Sequence, residues 1–187
     1  MLGFLTKVGA KILDPVQVWP SLTFITLGRT SYGVSGDEAR VILNTVQPGD
    51  LVFRRYSHYV TSLVIPGFFS HVGVATATDR MVHAIHAGVV DEDILTYVRT
   101  DYILIMRPKD PRHTTQAIQR AKDLKGKPYD FKFDTADKRA LYCTELAMHC
   151  YSAIVPDRKE LKPRVEPDEL LKLDTFTTVF DSRKWRA

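Results

Sequence analysis

The clearest hydrophobic pattern in the chain begins at Cys143. Beyond this residue, apolar side chains recur after three, four, seven, eight and eleven positions, and Pro156 ends the series. This spacing places the apolar residues on one side of a helix, so it predicts an amphipathic helix that opens with the cysteine. The members of this apolar stripe are Leu146, Ala147, Cys150, Tyr151 and Ile154.

Shorter runs of β-branched and apolar residues predict strands. Thr78-Asp79-Arg80 suits a tight hairpin between two of these runs. The run at 102–107 is almost continuously apolar, which is typical of a strand buried on both faces. Residues 91–98 are predicted to be helical or irregular. The predicted strands cover residues 51–56, 69–76, 81–86, a short run from 88, and 102–107.

Further segments complete the predicted order of elements. Ser35-Gly36-Asp37-Glu38 has the form of a capping box and predicts a short helix. Thr114 or Thr115 is expected to cap another helix. The tail is predicted to add a short helix near 167–171 and an edge strand near 177–180. This order of a helix, a meander of strands, a helix and then the cysteine helix indicates an α+β arrangement.

The size and composition fit one globular domain. A chain of 187 residues can bury a full core without disulfides. Its hydrophobic and charged fractions, 44% and 26%, are ordinary for such a domain. The net charge is +4, but no dense Lys/Arg stripe is present, so nucleic acid is not an expected partner.

The cysteines and the N-terminal residues bear on location. Cys143 and Cys150 are roughly 10 Å apart along a helix, too far for a disulfide. Free thiols, and therefore a cytoplasmic or otherwise reducing compartment, are expected. Residues 1–12 are not a convincing signal peptide, because Lys7 and Lys11 interrupt the apolar run. They predict either a short packed helix or a helix on a membrane surface. No transmembrane segment is expected.

Cys143 is the strongest candidate for chemistry. At the start of a helix its sulfur lies beside unpaired backbone N–H groups, which favour the thiolate and lower the thiol pKa. Its own backbone N–H is a candidate donor to a developing oxyanion. The alternative is a small buried apolar residue on the inward stripe, which is the assignment expected for Cys150.

Two histidines are placed to act with such a thiol. Strand alternation puts His71 on one face of its strand together with Gly73, and His83 on one face of the next strand. A hairpin between the strands brings the two rings side by side, and Gly73 leaves room for a helix to approach. His86 has the opposite parity and is expected to point away. No chemical role is expected for His58, His113 and His149.

Four motifs in this order resemble a known family. The chain resembles the circularly permuted branch of the NlpC-like papain superfamily, to which the YiiX/YaeF-type amidases and lecithin retinol acyltransferase belong. The resemblance covers about residues 48–154 of a single domain spanning 1–187, with 1–47 and 155–187 as extensions. The motifs are Pro48-Gly49-Asp50-Leu51-Val52, Ser70-His71-Val72-Gly73-Val74, Val82-His83-Ala84 followed by Gly88-Val89-Val90, and Tyr142-Cys143-Thr144-Glu145-Leu146.

The resemblance implies a fold and a set of site residues. The fold is a circularly permuted papain-like one, with an antiparallel sheet or small barrel packed against the cysteine helix. Cys143 matches the nucleophile, His71 the catalytic histidine and His83 the third polar residue. YiiX-type members often carry glutamate at the third position, whereas acyltransferase-like members carry histidine. Tyr56 and Tyr142 are candidates to line the substrate cleft.

The implied activity is that of a thiol hydrolase or acyl transferase. The nucleophile attacks an amide, ester or thioester of a peptide, a peptidoglycan fragment or a lipid, and an acyl-enzyme forms on Cys143. No metal or organic cofactor is implied. Two alternatives stay open. The same Cys, His and His suit a zinc site, although the ligand spacings of a zinc finger are missing. The fold also suits a non-enzymatic interaction or virion-associated module.

Overall fold

The computed structural model describes residues 16–18, 25–27, 32–57, 66–133, 139–155 and 164–187. The helix predicted within residues 1–12 lies outside them. Within the described residues, no helix is long and apolar enough to cross a membrane.

Strands and helices follow one another much as the sequence predicts for the centre of the chain. The strands are β1 (Val16–Val18), β2 (Ile25–Leu27), β3 (Leu51–Arg55), β4 (His71–Ala75), β5 (Arg80–Ile85), β6 (Gly88–Asp93), β7 (Tyr102–Pro108) and β8 (Phe176–Asp181). The α-helices are α1 (Gly36–Thr45), α2 (Ile94–Tyr97), α3 (Thr114–Asp123), α4 (Cys143–Cys150), α5 (Pro167–Leu170) and α6 (Ser182–Trp185).

Strands β3 to β8 form one six-stranded antiparallel sheet. Their order is β6-β5-β4-β3-β7-β8, while β1 and β2 pair with each other in a separate antiparallel sheet. Strand β7 lies inside the large sheet, which explains its continuous apolar run, and β8 forms an edge as predicted. Helices combined with an antiparallel sheet confirm the predicted α+β class.

Helix boundaries follow local capping signals. The hydroxyl of Ser35 accepts the backbone N–H of Glu38 at 3.2 Å and caps α1, as the capping box predicts. Helix α3 begins one or two residues earlier than the predicted cap at Thr114 or Thr115 implies. Thr114 is already its first residue and His113 precedes it as N-cap, because Asp110 caps a short 3-10 turn that leads into the helix.

The prediction for residues 91–98 is only partly right. Asp91, Glu92 and Asp93 continue β6 in register with β5, and only Ile94–Tyr97 is helical. The Asp93 carboxylate ends the strand because it accepts a backbone N–H of the first turn of α2 at 2.8 Å. The longer strand has a consequence for the site, because it puts Glu92 on the same side of the sheet as His83.

Packing divides the large sheet into two faces. Helices α3 and α4 cover the first, which we call the α4 face, and α1 and α2 cover the second, which we call the histidine face. Alternation along each strand sends successive side chains to opposite faces. Core strand residues of the α4 face are Leu51, Phe53, Val72, Val74, Val82, Ala84, Val89, Leu104, Met106 and Phe176. Those of the histidine face are Val52, Ala75, Met81, Ile103, Ile105 and Phe180.

The C-terminal part of the chain fixes the entry to β4. Asp168, in α5, accepts the backbone N–H groups of Phe68 and Phe69 at 2.6 and 2.8 Å. Gly67 has a φ of +107°, and a Cβ added there would lie 2.8 Å from the same carboxylate. These contacts set the backbone immediately before His71, so a segment far away in sequence helps to position a site residue.

Candidate active site

Cys143 is the first residue of α4, as the apolar pattern predicts. The helix begins there because Tyr142 is in an extended conformation (φ −93°, ψ 174°) and its backbone N–H donates to the Glu145 carboxylate at 3.1 Å. Cys143 is 7% exposed, so the thiol lies at the edge of the core. Cys150, at the other end of α4, is 2% exposed, and both thiols are free.

Hydrogen-bond donors surround the Cys143 sulfur. Backbone N–H groups of Val72 and Thr144 point to it, and the Thr144 hydroxyl oxygen lies 3.8 Å away. Pairing between β4 and β5 runs from Ala75 to Gly73 on β4 and stops one residue short of Val72. The opening between the strands therefore leaves the peptide that joins His71 to Val72 facing the thiol.

The structure contradicts the expected low thiol pKa. Burial raises the pKa of Cys143 above its ordinary value, the nearby Glu166 carboxylate adds to this, and the donors from Val72 and Thr144 oppose it without cancelling it. The helix N-terminus, which is visible in the sequence, favours the thiolate, but burial, which is not, disfavours this charged form. Without a substrate, the thiol of Cys143 is protonated at neutral pH.

His71 and His83 meet as the strand alternation predicts. His71 Nε2 lies 3.0 Å from His83 Nδ1, and the two rings pack edge to face at 5.2 Å between centroids. The register places Gly73, not His71, directly opposite His83, so the two histidines are diagonal neighbours on one face. Because Nε2 of His71 faces His83, its Nδ1 is left for a proton from another group.

Burial also lowers the pKa of both histidines. The pKa of His71 lies well below its ordinary value, because burial, the Arg54 guanidinium and His83 all disfavour the imidazolium. The pKa of His83 is lowered by burial and Arg54, against the opposing effect of Glu92. Both rings are therefore neutral at neutral pH, and a neutral imidazole is the form that accepts a proton.

Sequence reasoning missed Glu92 and Arg54. Glu92 Oε2 lies 3.3 Å from His83 Nε2 and 3.6 Å from Arg54 Nη1. Arg54 is directly opposite His71 in the pairing of β3 with β4. The alternation of β3 and β6 could have identified both side chains, since each shares the parity of the histidine face. Because residues 91–98 were predicted to be helical or irregular, strand alternation was not applied to Glu92.

Tyr97 forms the floor beneath the histidines. Its hydroxyl donates to the Val52 carbonyl at 2.8 Å, and its ring lies 5.1 Å from that of His83 and 6.1 Å from that of His71. A Cβ added to Gly73 would lie 3.0 Å from the Tyr97 hydroxyl and 3.1 Å from the Cβ of His83. Gly73 does admit a helix, as predicted, and that helix is α2.

The other predicted site residues occupy distinct places. Tyr56 is half-buried beside Arg54, whose guanidinium lies 5.2 Å from the centre of its ring. Tyr142 is 2% exposed and its hydroxyl accepts the backbone N–H of Val165 at 3.0 Å. Their role in substrate binding stays a prediction. His86 is exposed in the turn between β5 and β6 and lies outside the histidine pair.

The fold and this order of site residues define a permuted papain-like protein, with the histidine strand before the cysteine helix. The chain matches the model of the permuted papain-like amidase enzymes of the YaeF/YiiX, C92 family over residues 45–185. It therefore belongs to this family, as the four motifs predict. Membership makes it a hydrolase of the amidase kind at the level of the family.

A solved structure agrees with this fold. The metalloprotein YiiX from Escherichia coli O157:H7 superimposes with a TM-score of 0.59 at 20% sequence identity, over 74% of this chain and 98% of that one. No curated protein is significantly similar to the chain in sequence.

That protein is described as a metalloprotein, but the site residues of this chain do not suit a metal ion. Within the described ranges, no group of three or more His, Cys, Asp or Glu side chains is placed to hold one. His71 and His83 turn nitrogens towards each other at 3.0 Å, and the second nitrogen of His83 contacts Glu92. This arrangement does not fit a resident metal.

Proposed function

We propose that the protein is a cysteine-dependent hydrolase or acyl transferase that forms an acyl-enzyme on Cys143. His71 is the base and His83 orients it. The observation that carries this proposal is the peptide between His71 and Val72. Its N–H points to the Cys143 sulfur, while the ring of His71 is turned by a 3.0 Å contact with His83. A nucleophile and a base oriented by a third group are the parts that thiol catalysis needs.

The protonation states suggest how the reaction starts. Cys143 rests as a thiol and His71 as a neutral imidazole. When a carbonyl carbon lies against the sulfur, Nδ1 of His71 takes the thiol proton as the S–C bond forms. The proton then passes from His71 to the departing amine, alcohol or thiol as its bond to the carbonyl carbon breaks. Water or an acceptor, deprotonated by His71, finally releases the acyl group and restores the thiol.

The acyl donor belongs to one of three bond classes. An amide is the donor that membership of an amidase family favours, and esters and thioesters react by the same steps. Peptides, peptidoglycan fragments and lipids all carry such bonds. Whether water or an amine or alcohol accepts the acyl group decides between hydrolysis and transfer, and the acyl-enzyme is common to both.

The proposal also concerns the compartment. A thiol nucleophile has to be reduced to react, and both cysteines of the chain are free. We therefore propose that the protein acts in a cytoplasmic or otherwise reducing compartment.

The test is to trap the acyl-enzyme. The protein is incubated with p-nitrophenyl acetate, an acyl thioester and an activated peptide amide, and its intact mass is recorded before and after hydroxylamine. We expect one hydroxylamine-sensitive acyl group on Cys143 in the wild type and in Cys150→Ala, and none in Cys143→Ala. If Cys143→Ala were labelled as much as the wild type, or if no probe left an adduct, the enzymatic function would be refuted. The protein would then be better explained as a non-enzymatic interaction module.

A further inference from the structure

A row of four polar side chains crosses the histidine face. Arg54, His71, His83 and Glu92 come from the adjacent strands β3, β4, β5 and β6. His83 is 1% exposed, Arg54 7%. The core strand residues beside them are apolar. Burying polar and charged groups costs free energy unless each is paired, so this row needs an explanation that packing alone does not give.

We propose that Glu92 and Arg54 are positioning residues that set the tautomers of His83 and His71. Glu92 accepts the Nε2 proton of His83, and Arg54 holds Glu92. This inference rests on the proposed function, because the tautomer of His71 matters to the reaction only if that ring takes the thiol proton.

The contacts along the row fix which nitrogen of each ring carries a hydrogen. Glu92 Oε2 and His83 Nε2 are buried 3.3 Å apart, and neither atom has a hydrogen-bond partner of good geometry in the described structure. Each therefore needs the other, and because an ionised carboxylate can only accept, the hydrogen of the proposed bond belongs to the histidine. A neutral imidazole carries one hydrogen, so Nδ1 of His83 is then an acceptor. His71 Nε2, 3.0 Å away, must donate to it. The lone pair of His71 is thereby placed on Nδ1, where the thiol proton has to arrive.

Arg54 supplies the opposite charge. Its guanidinium lies 3.6 Å from the Glu92 carboxylate and 4.2 Å from the centre of the Tyr97 ring, and its Nη1 donates to the Tyr97 carbonyl at 3.3 Å. The contacts of Glu92 with His83 and Arg54 keep the pKa of this carboxyl low, so it stays an acceptor. Arg54 also disfavours a proton on His71. Glu92 and Arg54 together orient the two histidine rings while both rings stay unprotonated.

The first experiment reads the tautomers directly and needs no activity. Long-range ¹H–¹⁵N correlation spectra of the histidine rings are recorded at neutral pH for the wild type, Glu92→Gln, Glu92→Leu and Asp91→Asn. Asp91 is the matched control, since it is the neighbouring carboxylate on β6, faces away from the histidines and pairs with Arg80 and Lys125. Amide fingerprint spectra establish that each variant is folded.

In the wild type and in Asp91→Asn, we expect His71 and His83 each to carry hydrogen on Nε2. Glu92→Gln keeps an acceptor oxygen and should keep this pattern. Glu92→Leu removes the acceptor, so His83 should become a mixture of tautomers and His71 should follow it. An Nδ1–H tautomer at His83 in the wild type, or an unchanged pattern in folded Glu92→Leu, would overturn the proposal.

The second experiment uses charge. Removing the negative charge in Glu92→Gln should move the acid limb of the pH–rate profile to lower pH, because a carboxylate favours the imidazolium. Removing the positive charge in Arg54→Met should move it to higher pH. If Glu92 and Arg54 were purely structural, the two variants would not shift the acid limb in opposite directions. Shifts of the acid limb in the same direction in both variants would contradict the proposal. The ionisable groups that the structure places beside the histidines are Arg54 from β3, Glu92 from β6 and Tyr97 from α2, with Tyr56 beside Arg54.

The two experiments separate this inference from the proposed function. If the tautomers respond to Glu92 as expected but no acyl-enzyme is ever trapped, the positioning role stands and the thiol hydrolase does not. If an acyl-enzyme forms but the histidine tautomers do not change in the Glu92 variants, the thiol hydrolase stands and the positioning role does not. In an active enzyme, Glu92→Leu should lower kcat by about tenfold or more with little change in KM.

Discussion

The two faces of the same strands do different work. The α4 face is apolar and brings Cys143 to its edge on a buried helix, whereas the histidine face carries Arg54, His71, His83 and Glu92 in one row. Strand alternation keeps these sets apart, and the thiol meets the backbone of β4 at Val72, where the pairing of β4 with β5 has stopped. One face thus supplies the packing that fixes the proposed nucleophile, and the other carries the groups that we propose transfer its proton.

Burial favours the neutral form of the titratable groups on both faces of the sheet. It raises the pKa of the Cys143 thiol and lowers the pKa of the His71 imidazole, because in each case the neutral form is favoured. The proposed nucleophile and the proposed base are thus both neutral without substrate, so the proposed reaction does not start from an ion pair between thiolate and imidazolium.

The largest effect is expected at the junction of the faces. Cys143→Ala should lower kcat/KM by at least about 10⁴-fold, since no nucleophile remains. Cys150→Ala, on the same helix and inside the α4 face, should retain activity. Steady-state rates with the best acyl probe compare them directly. Substantial turnover by folded Cys143→Ala would remove the nucleophile from the mechanism.

On the histidine face, His71→Ala should remove nearly all turnover, and His83→Ala should leave a reduced remainder. His83→Gln should be tolerated better than His83→Ala, because an amide can still accept from His71. His83→Glu should be the poorer of the two replacements, since its carboxylate would face Glu92. Full kinetics of the four variants tests the order, and equal rates and pH profiles for the two alanine variants would refute separate roles.

A substitution inside the α4 face should act on stability. Leu146, a residue of α4, is fully buried in the core of the α4 face, and Leu146→Ala should lower the free energy of unfolding by about 2–5 kcal/mol. The pH–rate profile of the folded variant should keep its limbs, because no charge near the histidines changes. Denaturant titration and kinetics at several pH values check both statements. A shift of the acid limb of the pH–rate profile in Leu146→Ala would show that packing on the α4 face affects the histidines.

Gly73→Ala probes the histidine face without touching a charge. The added methyl group would press on the Tyr97 hydroxyl and the Cβ of His83, so we expect a loss of about tenfold in kcat from a displaced His83. Val74→Ala, one residue further on β4 and on the α4 face, is the matched control. It should cost stability and leave kcat of the folded protein near wild type. The reverse ranking in kcat would disprove this account of Gly73.

The last prediction concerns pH. Because the thiol pKa is raised above its ordinary value of 9.0, iodoacetamide should alkylate Cys143 slowly at pH 6 and faster only as pH rises beyond 9. Cys150, whose thiol pKa burial raises to about 12, should react later still. Activity needs His71 neutral, so its acid limb should lie below pH 6.5. Rapid alkylation of Cys143 at pH 6, followed through peptide mapping, would instead indicate a preformed thiolate.

Local patterns were sufficient for much of this structure. The apolar stripe after Cys143 predicted the start of α4 because helix periodicity is a property of neighbouring residues. Alternation placed His71 and His83 on one face for the same reason. The charged run at 91–93 was misread, because its strand conformation depends on pairing with β5, which only the folded chain provides.

The sequence by itself determined most elements of the large sheet, the start of α4, the α+β class and the shared face of two histidines, since these depend on spacing along the chain. Only the tertiary structure decided the charge state of the thiol. It also placed Glu92 and Arg54 near His83, and it brought Asp168 to the backbone that precedes β4. Each of these depends on burial or on contacts between residues distant in sequence. A pKa in particular reports the desolvation and the neighbouring charges of a site, which exist only once the strands and helices have packed.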